Sequence, residues 1–480
     1  MELGVNESEY RARRLANLAR LKELGYPPFG GAFERTGRIS DIKASFAEGR
    51  RVRAAGRMTA RREMGKSVFA DLRDGTDRFQ LYLKKDDVGP GPFEAFSYLD
   101  FGDHIGVEGE LFTTRAGEKS IKVTAWALLS KALLPPPEKW HGLQDVELRY
   151  RRRYLDLLAN PDVREVFNKR SAMIWAIRQL LVSRGFIEAE TPMMQPMAGG
   201  AAATPFRTHY DALNCDMFLR IAPELYLKRL LVGGFDKVFE LNRNFRNEGL
   251  SRFHNPEFTM LEIYEAYGDL RSMQSLVQDL ICHASQTAMG TLQVGSQAQP
   301  IDLTPPWREV TYRDLVCAVA GPDWFELDLD AARRKVVALG LHAPAEWGRI
   351  ELTQEIFEKL IEKTLVNPTF VTRLPVELVP LAKACADDPS VVDVFELVIG
   401  GREIAPGYSE LNDPIEQRRR FEEQARGDAA KMDEDFLTAL EHGMPPAGGM
   451  GIGIDRLAIM LTGAESIRDV ILFPQLRPVG

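Results

Sequence analysis

Residues 236–267 read DKVFELNRNFRNEGLSRFHNPEFTMLEIYEAY, and this stretch decides the fold. Over 238–248 the odd positions Phe239, Leu241 and Phe245 are apolar, whereas the even positions Glu240, Asn242, Asn244, Arg246 and Glu248 are polar. A period of two belongs to a strand with one face in the core. In the returning strand Leu261 and Ile263 share the apolar face, and Phe258, Glu262 and Tyr264 project from the other. Two strands joined by a polar loop therefore gather an arginine, two glutamates, an aromatic ring and a phenol on one floor. Such a floor suits a small ligand with an anionic and a cationic end. Arg246 offers a fork of donors for a carboxylate or phosphate, Phe258 a flat surface for a purine, and Glu262 an acceptor for an ammonium. The plainer alternative is a sheet face whose charges alternate only for solubility.

The strings FRNE at 245–248 and HNPEF at 254–258 resemble motif 2 of the class II aminoacyl-tRNA synthetases, in the subgroup for lysine, aspartate and asparagine. GGMGIGIDR at 448–456 is similar to motif 3, and RGFIEAETPMM at 184–194, with Pro192, to motif 1. IRDVILFPQLRP at 467–478 resembles the finish of the bacterial lysyl-tRNA synthetases. The motifs stand in family order and span essentially the whole chain. The resemblance implies an α+β protein: a class II catalytic domain built on an antiparallel sheet, preceded by an OB-fold β-barrel. It further implies lysine, ATP and lysine tRNA as substrates, Mg2+ with the ATP, and a homodimer formed through motif 1.

Outward from the hairpin, 480 residues exceed one ordinary domain, and a 45% hydrophobic content is enough for more than one core. We expect an amphipathic N-terminal helix region over 1–48, a barrel over 49–134, a linker over 135–150 that starts at Pro135, Pro136 and Pro137, and a catalytic domain over 151–480. Within the last, about 290–385 resembles a variable helical insertion. No apolar run reaches membrane-spanning length and the N-terminus lacks a signal-peptide core, so a cytoplasmic protein without a membrane partner is expected. Cys215, Cys282, Cys317 and Cys385 form no CxxC pair, which argues against a zinc knuckle or a disulfide framework.

A net charge of −8 argues against a nonspecific nucleic-acid binder, yet Arg50, Arg51, Arg53, Arg57, Arg61, Arg62 and Lys66 face one acid, Glu63, within 50–66. That patch attracts phosphates locally, since screening confines it to roughly 10 Å. Leu15, Leu18, Leu21 and Leu24 recur at helical spacing before Gly25, and five short alternating segments between Val52 and about Ser130 read as a small barrel. OB-folds bind single strands by stacking on exposed aromatics. By resemblance Phe69 and Gln80 stack on and read the anticodon, supported by Arg61 and Arg62, while Ala125 stands where many lysine enzymes carry a glutamate. Without the resemblance, Phe69 reads equally well as barrel core.

The resemblance also assigns the catalytic pieces. Arg246 holds the α-phosphate and the amino-acid carboxylate; Glu248, His254 and Phe258 surround the adenine. Arg456, set by Gly449, Gly451 and Gly453, stacks on the other adenine face and meets the γ-phosphate. Arg252 precedes Phe253 where the family often has an arginine directly before the histidine, so its phosphate is left open. If Gly400 and Gly401 make a two-residue turn, Val398 pairs with Glu403 and Glu396 projects on the same face, placing two carboxylates side by side. Two such acids call for a cation between them, and the family makes Glu396 and Glu403 the magnesium ligands. An exposed hairpin with unpaired acids is the alternative. For lysine, Gly200 lies in a loop of small residues, Glu224 takes the α-amino group, Glu262, Tyr264 and Glu410 take the side-chain ammonium, and Tyr408 packs on the methylenes. Pro406 replaces a usual asparagine. A paralogue that lysylates another acceptor and a non-catalytic RNA-binding protein on the same scaffold are the rival readings.

Overall fold

The computed structural model describes residues 4–137, 143–197, 199–201, 203–425 and 432–478; part of the expected linker, 138–142, lies outside them. The chain divides into two compact units, one running to Val146 and including Tyr154–Ala159, the other comprising Glu147–Arg153 and the chain from Asn160.

In the first unit β1 (Arg51–Met64), β2 (Ser67–Arg73), β3 (Arg78–Lys84), β4 (His104–Thr113) and β5 (Lys119–Ser130) close into a barrel in the order β1-β2-β3-β5-β4. Strict alternation drives the closure. In β2, Val68, Ala70 and Leu72 are buried inside while Ser67, Phe69 and Asp71 point out. Phe69 is thus not a core residue. The preceding helix, Gly4–Glu23, departs from the leucine stripe: Leu21 is buried but Leu15 is 44% exposed. Its second anchor is polar, because Arg14 donates to the carbonyls of Phe101 and Ala132 at 2.9 Å each.

In the second unit β6 (Ile187–Glu188) opens an eight-stranded sheet, and β7 (Met194–Gln195), β8 (Arg207–Tyr210) and β9 (Cys215–Leu219) form a separate small one. Next come β10 (Lys237–Phe245), β11 (Glu257–Ala266), the β12 (Gln293–Ser296) and β13 (Gln299–Asp302) ribbon, β14 (Arg308–Thr311), β15 (Thr369–Thr372), β16 (Val394–Val398), β17 (Glu403–Ser409) and β18 (Ala447–Gly453). The large sheet runs β14-β15-β16-β17-β18-β11-β10-β6, antiparallel except at its ends, where β6 pairs with β10 and β14 with β15 in parallel. The segment 290–385 is therefore not simply a helical insertion, since β14 and β15 extend the catalytic sheet. Within that segment an α-helix, Arg349–Ile356, passes through a π turn, Phe357–Ile361, into a 3₁₀ turn, Glu362–Thr364.

One sheet face packs on long helices. Phe239, Leu261 and Ile263 are fully buried with Met173, Ile177 and Leu181 of helix Pro161–Ser183 and with Leu280 of helix Leu270–Met289, each side chain contributing about 1.5–3 kcal/mol by leaving water. Helix Leu270–Met289 starts where Asp269 accepts from the Ser272 amide at 2.9 Å and stops at Gly290, whose φ is 76°. The opposite face is left for a site.

Candidate active site

Register fixes the floor. Tyr264, Glu262, Met260 and Phe258 of β11 stand opposite Val238, Glu240, Asn242 and Asn244 of β10, and on the other flank Gly449, Gly451 and Gly453 of β18 stand opposite Tyr264, Glu262 and Met260. The floor is dry: Glu240 is 2% exposed, Asn244 1% and Glu262 5%, which excludes a solvated face. Burial of that many polar groups demands partners. Glu240 has them, accepting from Arg220 Nη1 at 2.6 Å and from the Thr191 hydroxyl at 2.7 Å, which ties the motif 1 segment to the floor. Asn244 has no partner for either amide atom among the described residues, and it drew no role from the sequence.

The glycines of β18 clear space above this floor rather than merely tightening strand against helix. A Cβ at Gly449 would strike Glu410 Oε1 and lie 2.7 Å from Tyr264 Cε1; one at Gly451 would lie 2.8 Å from Met260 Cε. At Gly453 it would meet only the Arg456 side chain, at 3.6 Å.

At one end of the floor the acids are buried together. Glu224 begins helix Glu224–Val232 after Pro223, and Gly200, at φ +85°, brings its backbone against it: an added Cβ would sit 3.3 Å from Glu224 Cβ. Tyr408 donates to Glu224 Oε1 at 3.0 Å and Tyr264 to Glu262 Oε2 at 3.1 Å. Both phenols are pushed well above their usual pKa by burial and by the surrounding glutamates, so they remain donors. Glu224, Glu262 and Glu410 all act on these two phenols, so the three buried carboxylates share one cluster. Burial, reinforced by Glu224, raises Glu262 to about 8; burial likewise raises Glu410 to about 8 against the pull of Lys228. Lys228, absent from the sequence reading, is buried here with its ammonium 2.7 Å from Glu224 Oε1 and in contact with Glu410 Oε2. Its only sequence signal is the i,i+4 spacing from Glu224.

At the other end Arg246 lies 5.1 Å above the Phe258 ring, faced by Glu248, Glu262 and Glu403. Burial pushes its pKa below the ordinary value, and its Nε lacks a partner among the described residues. Arg456 donates to the Glu403 carbonyl at 3.0 Å. Glu248 and His254 are exposed; His254 bonds Ser251 Oγ at 2.8 Å, and partial burial with the charge of Arg456 lowers its pKa. Arg252 turns outward to Glu465 at 3.3 Å, while Phe253 lies 3.6 Å beneath Arg402, which faces Arg456. The hairpin turn thus brings a further cation, Arg402, toward Arg456, while Arg252 of the motif 2 loop pairs outward.

That turn is formed as spacing predicts. Gly400 and Gly401 have φ of 63° and 72°, Ile399 and Arg402 exchange backbone hydrogen bonds of 2.9 and 3.3 Å, and Val398 pairs with Glu403. Pro406 stands directly opposite Glu396. Burial and then the carboxylates of Glu403, Glu362 and Glu358 raise Glu396 to about 8. Glu362, unassigned from sequence, also accepts from the Glu403 amide at 2.9 Å. Such a like-charged cluster is chemically fitted to a hard divalent cation. Among the described residues no group of three or more His, Cys, Asp or Glu side chains could hold a metal ion by itself.

On the barrel, Phe69 stands with Tyr82 at 5.0 Å between ring centroids and Tyr82 with Phe112 at 5.6 Å, an outward aromatic row. Gln80 accepts from Ser120 at 2.8 Å beside it, and exposed Arg62 pairs in register with Phe69. Arg61 is engaged otherwise, donating to the carbonyls of Phe96, Ser97 and Leu99 at 2.8–3.2 Å. Ala125 is exposed opposite Glu108. No helix among the described residues is long and apolar enough to cross a membrane.

Residues 145–477 match the tRNA synthetases class II (D, K and N), and residues 52–129 match the OB-fold nucleic acid binding domain. The chain is 53% identical over 486 residues to the lysine–tRNA ligase of Syntrophomonas wolfei, covering 99% of each chain. It is 52% identical to that of Moorella thermoacetica, covering 98% of each, and 48% identical to that of Thermosynechococcus vestitus, covering 99% of this chain and 98% of the relative. With a dry floor, an acidic cluster at one end and convergent arginines at the other, the chain belongs to the class II tRNA synthetases of the aspartate, lysine and asparagine group, within the lysine–tRNA ligase family.

Proposed function

We propose that the chain joins lysine to ATP as lysyl-adenylate and passes the lysyl group to the 3′ end of lysine tRNA. The observation that carries this reading is the buried cluster in which Glu224, Glu262 and Glu410 stand with Tyr264 and Tyr408. An aspartate or asparagine side chain there would leave the buried Glu262 facing no cation, a larger penalty than the about 1–3 kcal/mol of a missing methylene.

In the first step the lysine carboxylate attacks the α-phosphorus, and the bond to pyrophosphate breaks. Glu224 takes the α-amino group with Gly200 beside it; Glu262, Tyr264 and Glu410 take the side-chain ammonium, and Tyr408 covers the methylenes. Arg246 holds both the carboxylate and the α-phosphate, so that charge building at phosphorus meets a desolvated guanidinium. Phe258 and Arg456 sandwich the adenine, Glu248 and His254 border it, Gly453 sets the turn, and Arg252 is left to the outer edge. Glu396 and Glu403 would hold Mg2+, which when bound neutralises phosphate charge. In the second step the terminal ribose hydroxyl attacks the lysyl carbonyl and AMP leaves. No side chain is assigned as a general base.

On the barrel, Phe69 and Gln80 take anticodon bases, with Arg62 on the adjacent phosphates and Arg61 bracing the wall. The domains are read as a helical region 1–48, a barrel 49–134, a linker 135–150 and a catalytic domain 151–480. A cytoplasmic homodimer completes the reading: Trp175 and Val182, before motif 1, and Ile187 and Met194, within it, are 51–60% exposed apolar side chains that a second copy would cover. Lysine-dependent exchange between ATP and pyrophosphate, followed by charging of lysine tRNA, tests the proposal. Absence of exchange overturns it; exchange without charging favours a different acceptor.

A further inference from the structure

Lys228 lies one helical turn beyond Glu224 on the same face of helix Glu224–Val232. It is fully buried, its ammonium bridges Glu224 and Glu410, and it sits 5.8 Å from the centre of the Tyr408 ring. The chain's own ammonium thus already stands in the cluster assigned to a ligand's. Burial opposes its charge, and the two carboxylates more than offset that, leaving its pKa raised.

Counting charge around the cluster gives Lys228 a purpose that a simple ion pair would not. Counted as carboxylates, the three acids and one ammonium sum to two negative charges, and free lysine presents two ammonium groups there while its carboxylate faces Arg246. We propose that Lys228 is a specificity-determining positioning residue: its ammonium holds the Glu224 and Glu410 carboxylates aligned, and it sets the charge of the buried cluster to match an amino acid with two ammonium groups. The inference rests on lysine being the amino acid. Without Lys228 the cluster holds three uncompensated acids, and the cheapest response is to bind protons, which lysine must then expel. The titratable groups facing it are Glu224 on its own helix, Glu262 and Tyr264 on β11, Tyr408 on β17 and Glu410 just beyond; the Arg220–Glu240 pair acts from behind on Glu262.

The full-length wild type, Lys228→Met and Lys228→Arg are compared by lysine-dependent pyrophosphate exchange from pH 6.5 to 8.5, and by calorimetry of lysine binding in phosphate and Tris buffers, which counts protons released. For Lys228→Met we expect the lysine KM at pH 7 to rise by about tenfold or more with kcat and the ATP KM little changed, about one additional proton released per lysine, and partial recovery of KM as pH rises. Lys228→Arg, with its charge kept, should stay within about threefold of wild type. An unchanged lysine KM and proton count in Lys228→Met overturns the inference. If that variant does not fold, Lys228→Arg decides: a near-wild-type KM and proton count supports it, and a tenfold rise overturns it because fit, not charge, would then govern. A wild type without lysine-dependent exchange instead brings down the lysine reading itself.

Discussion

Glu262→Gln separates what a site carboxylate does for a ligand from what it does for the fold. The side chain is 5% exposed, accepts one hydrogen bond from Tyr264 at 3.1 Å, and has no ion-pair partner among the described residues. Its pKa, raised by burial and Glu224 to about 8, lies above the ordinary 4.5, so its contribution to stability is complete below pH 4.5 and is lost as pH climbs toward 8. Glutamine keeps the shape and removes that titration. The ligand-free variant should therefore melt at or above the wild-type temperature near pH 8. Lysine, by contrast, loses a charge-assisted hydrogen bond worth about 1.5–3 kcal/mol, which raises its KM by about 10–150-fold. Because the carboxylate of the substrate lies at the Arg246 end, kcat should change by less than about fivefold. Pyrophosphate exchange and thermal melts with and without lysine read both quantities. An unchanged lysine KM, or a ligand-free melt lowered by several degrees at pH 8, would refute the reasoning.

Gly449→Ala should raise the lysine KM and cost about 1–3 kcal/mol of stability by overpacking, whereas Gly453→Ala, whose Cβ finds ordinary contact, should stay near wild type in thermal melts and exchange assays. Glu396→Gln should raise the magnesium concentration needed for half-maximal exchange by about tenfold or more while leaving the lysine KM unchanged. Phe69→Ala should raise the KM for tRNA in charging by about 5–150-fold, the equivalent of about 1–3 kcal/mol of stacking, without altering exchange. Since burial raises Glu262, Glu396 and Glu410 alike to about 8, the ligand-free protein should lose stability between about pH 5 and 8, and lysine with magnesium ATP should restore more of it at the higher pH in melting curves.

Much of this was readable because short-range rules control it. Alternation over 238–248 and 258–264 assigns side chains to faces whatever the rest of the chain does, and the observed register pairs Glu240 with Glu262 and Asn244 with Phe258. The two-glycine turn likewise fixes Val398 against Glu403 by backbone geometry alone. The barrel strands alternate cleanly enough that Phe69 faces outward once the register is known, although sequence left core and surface equally open.

What escaped was brought in from a distance or disguised as something ordinary. Lys228 looks like the partner of an i,i+4 pair on any helix; only the arrival of Glu410, from a strand almost two hundred residues later, makes it a buried bridge between two acids. Glu362 sits in a stretch without periodicity to announce it, and reaches Glu403 because the chain just after it is tied to the hairpin turn, Leu365 and Val366 accepting from the Gly401 and Gly400 amides. Arg402 follows the same logic: its neighbour Phe253 is a departure from the family loop, yet the stack at 3.6 Å leaves a guanidinium beside Arg456 while Arg252 pairs outward with Glu465. In each case the sequence carries the residue and the sheet supplies its company. Charge balance in a dry site is a sum over strands that meet only after folding, and no local pattern contains that sum.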